Sequence, residues 1–319
     1  MFEQVIKIIE EYDSIVIFGH INPDPDCYGS AVGLKRIIQL NYPEKKVYIT
    51  GSGCSSFFKA LSPMDHVEDA TIANSLAILV DANDLWRMED KRIFKAKAWM
   101  KIDHHVDSGS FTEGYSLVDE NANSCADIIT SMVIEQGLKI DKLTANALYL
   151  GILTDSGRFQ FVEDYVGTFK RAAFLCEHGA NPKKLSKILS IVKEKTIKAK
   201  GYILTHYKKS EKGVIYLVFT KETLKQLGLG TNDASNMVNL IGNVKGYPIW
   251  CSFAEYEDGN VRVEFRSNGP AVQPVAARIG GGGHKYAAGA AMAKLDINKV
   301  DDIIKMLDEA IVEYQKEKH

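Results

Sequence analysis

"IVIFGHINPDPDCYGSAVGLKRIIQL", residues 15–40, passes from a short β-rich apolar run (15–18) through a loop stiffened by two prolines into a stretch with Leu34, Ile37 and Ile38 at helical spacing. It reads as strand, loop and helix, with Ser30 as the expected N-cap and Gly29 allowing a sharp turn into it. "KVYIT" (46–50), "LAILV" (76–80) and "AWMKI" (98–102) read as further buried strands, spaced widely enough for crossover helices. Such alternation predicts an α/β fold whose N-terminal domain is a parallel sheet with helices on both faces.

From Ser124 the sequence turns helical, with Ser124 and Asp127 as a capping box for "ADIITSMVIEQG" and Gly137 as its stop. "DKLTANALYLGIL" follows with Leu143, Ala147 and Leu150 on one face. Asn181 and Pro182 start another helix, whose many lysines read as a solvated face. "GVIYLVF" (213–219), "PIWCSFAEY" (248–256) and "NVRVEFRS" (260–267) read as strands, the last two joined by the Asp258-Gly259 turn, and a helix over 297–317 closes the chain. The expected organisation is a first domain over 1–180, a helical linker over 181–210 and a smaller α+β domain over 211–319.

The bulk properties agree with two soluble domains. The chain has 319 residues, 45% hydrophobic and 25% charged, and a formal net charge of −2, which carries none of the broad basic field that long duplex nucleic acid selects. Its five cysteines are scattered without CxxC spacing, which argues against a disulfide framework or a zinc cluster and for a reducing, cytoplasmic setting. No apolar run approaches the ~20 residues a membrane span needs, and "MFEQVIKIIEEYDS" reads as an amphipathic acidic helix rather than a signal peptide. "GSGCSS" (51–56) lacks the third glycine of a dinucleotide fingerprint and reads as a turn.

The chemistry concentrates in four clusters. His20, Asp24 and Asp26 follow the first strand, Asp81 the third, and Asp103, His104 and His105 the fourth, while Asp155 ends a helical run. Each alone is an ordinary turn, cap or packed residue. Together they are not, because the carboxyl ends of parallel strands share one rim, where ligands bind. Aspartates crowded there need cations to offset lost hydration and mutual repulsion. Imidazole and carboxylate donors without thiolate favour manganese, magnesium or ferrous iron. The ligands exceed what one ion that keeps a water can use and suit two divalent ions sharing a bridging carboxylate, the usual machinery of phosphate-ester hydrolysis. Asn22 and Asp24 each precede a proline and favour extended backbone, so Asp24 and Asp26 are expected to point apart and serve different ions.

A second signal is "RIGGGGHKYAAGA" (278–290). Consecutive glycines permit an anion-binding nest of amides, to which His284 and Arg266 would add charge-assisted contacts to phosphate.

These motifs resemble those of the DHH phosphoesterase family. "GHINPDPDCYGS" is similar to its first signature, "LVDAND" to its second, "IDHH" to the one that names it and "GILTDSGRF" to its fourth, while "GGGHKYAAGA" resembles the C-terminal DHH-associated domain. Within the family the chain is most similar to the nanoRNase / pAp phosphatase group. The resemblance implies a manganese-dependent cytoplasmic enzyme that cuts di- to pentanucleotides of RNA, such as pGpG and pApA, to mononucleotides and dephosphorylates 3′-phosphoadenosine 5′-phosphate. It implies that His20, Asp24 and Asp81 hold one ion and Asp26, Asp81, His104 and Asp155 the other, with Asp81 bridging. His105 would lie toward the scissile phosphate, oriented by Asp103. Arg266, Ser267, Gly281, Gly282, Gly283 and His284 would grip the substrate's terminal phosphate across an interdomain cleft. Homodimers are common in the family, a point on which the sequence itself is silent. The rival readings are an inorganic pyrophosphatase of related fold, against which the GGGH run speaks, and a nonenzymatic dinucleotide sensor, against which the full ligand set speaks.

Overall fold

The computed structural model describes residues 1–51, 62–82, 87–106, 109, 111–293 and 295–317. The "GSGCSS" stretch, apart from Gly51, and the last two residues of "LVDAND" lie outside them. The chain divides into two compact units, Met1–Ile191 and Val192–His319.

In the first unit, α1 (Phe2–Glu10) precedes β1 (Ser14–Phe18), α2 (Pro25–Asn41), β2 (Lys46–Ile49), α3 (Asp69–Ala73), β3 (Leu76–Val80), β4 (Ala98–Asp103) and β5 (Tyr115–Val118). Four helices follow: α4 (Cys125–Gln136), α5 (Lys142–Asp155), α6 (Tyr165–Glu177) and α7 (Pro182–Ser190). The strands form one parallel sheet in the order β2-β1-β3-β4-β5, with Ile15 opposite both Val47 and Leu76, and Val80 opposite Ile102. Both faces are buried, as near-continuous apolar strands require. Ile15, Ile17, Ile78 and Val80 pack under α2, α4 and α5, while Val16, Phe18, Ala77 and Leu79 face a smaller core with Ile72 of α3, Met88 and Ile93.

The structure corrects the sequence reading at α2. The helix starts at Pro25, not at Ser30, and its N-cap is Asp24, whose Oδ1 accepts the amides of Asp26 (2.9 Å) and Cys27 (3.0 Å). A pre-proline residue held extended, followed by proline at the first helical position, is a complete start signal. Ser30 and Gly29 are therefore interior to the helix. Gly29 serves packing instead: a Cβ there would fall 2.3 Å from the Ala147 carbonyl oxygen of α5. At α4 the cap is half as expected. Ser124 Oγ accepts the Asp127 amide (3.0 Å), but the Asp127 carboxylate, buried, is held by Arg171 Nε and Nη2 at 2.5 and 2.7 Å. The four-residue β5 has no counterpart in the sequence reading.

The second unit comprises α8 (Glu194–His206), β6 (Lys208–Lys209), β7 (Val214–Phe219), α9 (Lys221–Leu227), α10 (Thr231–Ser235), β8 (Ile249–Glu255), β9 (Val261–Ser267), α11 (Gln273–Arg278), β10 (Gly282–His284), β11 (Ala287–Ala293) and α12 (Asp301–Glu317). Its sheet runs β10-β11-β9-β8-β7-β6, mixed in direction. Val214, Cys251 and Phe265 pack against α11 and α12, and Ile215, Leu217 and Trp250 against α8, α9 and α10. The segment expected as a linker is two helices, with Leu185 of α7 in the core of the first unit and Ala199 and Ile203 of α8 in a core of the second.

Candidate metal centre

The sheet order places β2 on one side of β1 and β3 on the other, so a crevice opens beyond the carboxyl ends of β1 and β3. His20 leaves β1 and Asp81 leaves β3 directly at that point. Asp81 takes a left-handed backbone (φ 57°), and its amide is held by the Ile102 carbonyl at 3.0 Å. Aspartate tolerates this region better than most residues.

Asp81 stands between two imidazoles. Its Oδ2 lies 3.5 Å from His20 Nε2 and its Oδ1 3.5 Å from His104 Nε2, and His104 Nε2 is 3.3 Å from Asp155 Oδ2. The other ring nitrogens are spoken for: His20 Nδ1 donates to the Ile21 carbonyl (2.9 Å) and His104 Nδ1 to the Ala122 carbonyl (3.3 Å). Those bonds fix the tautomer and leave each Nε2 lone pair facing the carboxylates, as metal-ligating histidines require.

Asp24 and Asp26 do point apart, although from a helix start rather than an extended run. Asp24 Oδ2 reaches within 3.7 Å of His20 Nε2, with its side chain half-exposed. Asp26 is buried, its Oδ2 accepting the Cys125 amide (2.8 Å) and its Oδ1 the Ala126 amide (3.1 Å) at the N-terminus of α4, a natural seat for an anion. A Cβ on Gly151 of α5 would fall 2.5 Å from Asp26 Oδ1, so that glycine keeps room for the carboxylate. Asp103 is fully buried. Its Oδ1 accepts the amides of His104 (2.9 Å) and His105 (3.3 Å) and His105 Nδ1 (2.8 Å), which sets the orientation of that ring.

The electrostatics show an excess of negative charge. Burial, then the neighbouring charges of Asp81 and Asp155, push Asp26 well above the usual carboxylate range in spite of His104. Burial, with repulsion from Asp81 and Asp24 and in spite of His104, lifts Asp155 to about 6. Burial opposes protonation of His104, but Asp81 and Asp155 outweigh it and raise the imidazole to about 9. Burial also works against Asp81, yet the imidazoles of His104 and His20 beside it hold it down at about 2. Without a cation, the array neutralises itself with protons. Buried Asp81 Oδ1 and Asp103 Oδ2 have no hydrogen-bond partner among the described residues.

Donor atoms of three residue groups lie within 4.8 Å of one another: His20, Cys27 and Asp81; Asp81, His104 and His105; Asp26, His104 and Asp155. The donor set, its spare carboxylate oxygens and its unmet negative charge all fit divalent cations. Sequence reasoning missed Cys27, although it lies inside the first motif. It also missed the Ala122 carbonyl and the α4 amides, which carry no side-chain signal. Arg158 and Phe159, just beyond Asp155, hold left-handed backbones (φ 63° and 65°), which no residue type there announces.

In the second unit, Arg266 and His284 both pair across Ala287, and neighbours in register share a face, so the two side chains flank Ala287 on one side of the sheet. Arg266 Nη1 donates to Glu264 Oε2 (3.0 Å). Ser267 alternates to the other face, where its Oγ accepts the Gly269 amide (3.0 Å). The glycine run corrects the expected nest. Gly282 and Gly283 pair with Gly289 and Ala288 as the edge strand β10, and a Cβ on Gly281 would fall 2.1 Å from the Gly289 carbonyl oxygen. These glycines allow backbones to close on one another, and the edge strand leaves a row of backbone groups on its free side.

Residues 14–152 match the DHH family, N-terminal domain, and residues 211–313 match the DHHA1 domain. The chain is 33% identical over 318 residues to the bifunctional oligoribonuclease and PAP phosphatase NrnA of Bacillus subtilis, an alignment that covers 99% of this chain and 100% of that protein. The chain belongs to the DHH family. This DHH phosphoesterase is likewise 34% identical over 293 residues to the bifunctional oligoribonuclease and PAP phosphatase NrnA of Mycoplasma genitalium, covering 90% and 91% of the two chains. Its fold is that of an exopolyphosphatase-related protein from Bacteroides fragilis, with a TM-score of 0.84 at 20% identity over 99% of this chain and 96% of that one. No helix of the DHH protein, among the described residues, is long and apolar enough to cross a membrane.

Proposed function

We propose that this chain is a two-metal phosphodiesterase and phosphatase that cuts di- to pentanucleotides of RNA, linear dinucleotides such as pGpG and pApA included, to mononucleotides, and dephosphorylates 3′-phosphoadenosine 5′-phosphate. The observation that carries the reading is Asp81, with one carboxylate oxygen toward each of His20 and His104. The likeness to relatives whose names join both activities, over nearly the whole chain, supports the choice of substrate.

In this reading His20, Asp24 and Asp81 would hold one ion, and Asp26, Asp81, His104 and Asp155 the other. Bound there, two divalent ions would neutralise the phosphate and lower the pKa of a water for attack on phosphorus. Manganese is the first candidate, magnesium the second, because the set is imidazole and carboxylate. The chain's own residues do the rest. Asp103 turns His105 so that Nε2 can hydrogen-bond the phosphate being cut. Arg266 and His284, with the glycine amides of β10, hold the substrate's terminal phosphate. Residues 1–180 are the catalytic domain and 211–319 the substrate-binding domain, and the enzyme works in the cytoplasm, a compartment favoured by the cysteines that are free among the described residues; a homodimer is the assembly that the family resemblance implies.

The test is to incubate the purified protein and manganese with labelled RNAs of graded short length and with 3′-phosphoadenosine 5′-phosphate, resolving products over time. Mononucleotides appearing fastest from the shortest RNAs are the expected result. Orthophosphate released from pyrophosphate, with every RNA left intact, overturns the reading.

A further inference from the structure

Cys27 occupies the third position of α2, its side chain only 1% exposed, at the base of the His20 side of the centre. Its Sγ presses against Gly19, where a Cβ would fall 2.5 Å away, so the bare glycine leaves the thiol its place. The contact from Sγ to the Val80 carbonyl is 3.9 Å, at the weak limit for a thiol donor. Sγ, a His20 ring nitrogen and an Asp81 carboxylate oxygen lie within 4.8 Å of one another, in a group whose three residues are all buried. The Asp81 oxygen on this side is Oδ2, 3.5 Å from His20 Nε2.

The other half of the centre, Asp26, His104 and Asp155, offers only nitrogen and oxygen. The two halves therefore differ in softness. Thiolate, imidazole and carboxylate from buried residues suit a tetrahedral zinc or cobalt ion, whereas manganese and magnesium prefer oxygen.

We propose that Cys27, His20 and Asp81 form a thiophilic site that takes zinc or cobalt as a thiolate complex, in competition with the ion that serves hydrolysis on that side. Binding forms a metal–sulfur bond and releases the thiol proton to solvent, with no change of oxidation state. The consequence is an enzyme that zinc silences by occupying one half of its centre with the wrong ligand set. The proposal rests on the metal centre, not on the identity of the substrate, and its test needs no substrate.

Chelator-stripped protein titrated with cobalt is expected to develop a near-ultraviolet thiolate-to-cobalt charge-transfer band, absent in Cys27→Ala and Cys27→Ser and retained in Cys125→Ala. Zinc affinity measured by competition with a chromophoric chelator is expected to fall at least about tenfold in Cys27→Ala. An anomalous difference map at the zinc edge, on wild-type crystals, needs no substitution and is expected to place the ion within about 2.3 Å of Sγ. A cobalt complex with no such band, a band that survives Cys27→Ala, or a zinc ion bound only by nitrogen and oxygen overturns the proposal. Failure to cleave RNA leaves the cobalt spectrum unmoved, so the two readings fall separately.

Discussion

Asp81 combines two demands in one residue: a left-handed backbone at the end of β3 and a charge placed between His20 and His104. Asparagine meets the first and not the second, since it too tolerates that backbone. Asp81→Asn is therefore expected to fold with a far-ultraviolet spectrum and melting curve like the parent's when metal-free. It is expected to lose roughly a thousandfold or more in hydrolysis of a dinucleotide, with metal content read by mass spectrometry falling alongside. In the proposed centre protons compete with metal at the same atoms. His104, raised to about 9, must give up its proton to bind, and so must Asp155, raised to about 6, wherever it is still protonated. Since both pKa values lie above their ordinary ones, protonation opposes metal increasingly as pH falls from about 9 toward 6. Apparent manganese affinity is expected to drop over that window, and calorimetry in buffers of different ionisation heat is expected to show proton release near neutral pH.

The helix start at Pro25 and the crossing of α2 with α5 are what position Asp24 and Asp26. Gly29→Ala would set a methyl 2.3 Å from the Ala147 carbonyl oxygen, a backbone atom that cannot rotate away. It is expected to cost about 1–3 kcal/mol in urea denaturation of the first unit, as overpacking does, and to weaken metal binding with it. The parts of this element legible in the sequence were its apolar face and the placing of Asp24 near His20. Its boundary was not, because Asp-Pro serves turns and helix starts alike, and only the path of the chain from β1 decides between them. The glycine run shows the same ambiguity. Glycine permits a nest and a close-packed edge strand equally, and the pairing of Gly282 with Gly289 selects the strand. The strand β5 escaped because four residues with one buried leucine carry too little alternation to read.

Each unit closes its own core, so ligands to the metal centre are expected to act on one of them. In scanning calorimetry, manganese at about a hundred times its dissociation constant should stabilise Met1–Ile191 by about 2.7 kcal/mol and leave the transition of Val192–His319 where it was, and a chelator should reverse the shift. A single transition that never moves with manganese contradicts this. The convergence of His20, Asp81, His104 and Asp155 could be read from the sequence because each cluster ends a strand or helix of an α/β pattern, and the topology of such sheets is narrow. The thiol of Cys27 could not, since nothing in its neighbours says that it faces His20. Asp26, Asp81 and Asp103 are buried together, and among the described residues the basic groups paired with Asp81 and Asp103 are imidazoles. With the proposed ions in place, the durability of this protein in a cell would be tied to mineral supply: when divalent ions run short, its first unit is expected to open sooner to a protease.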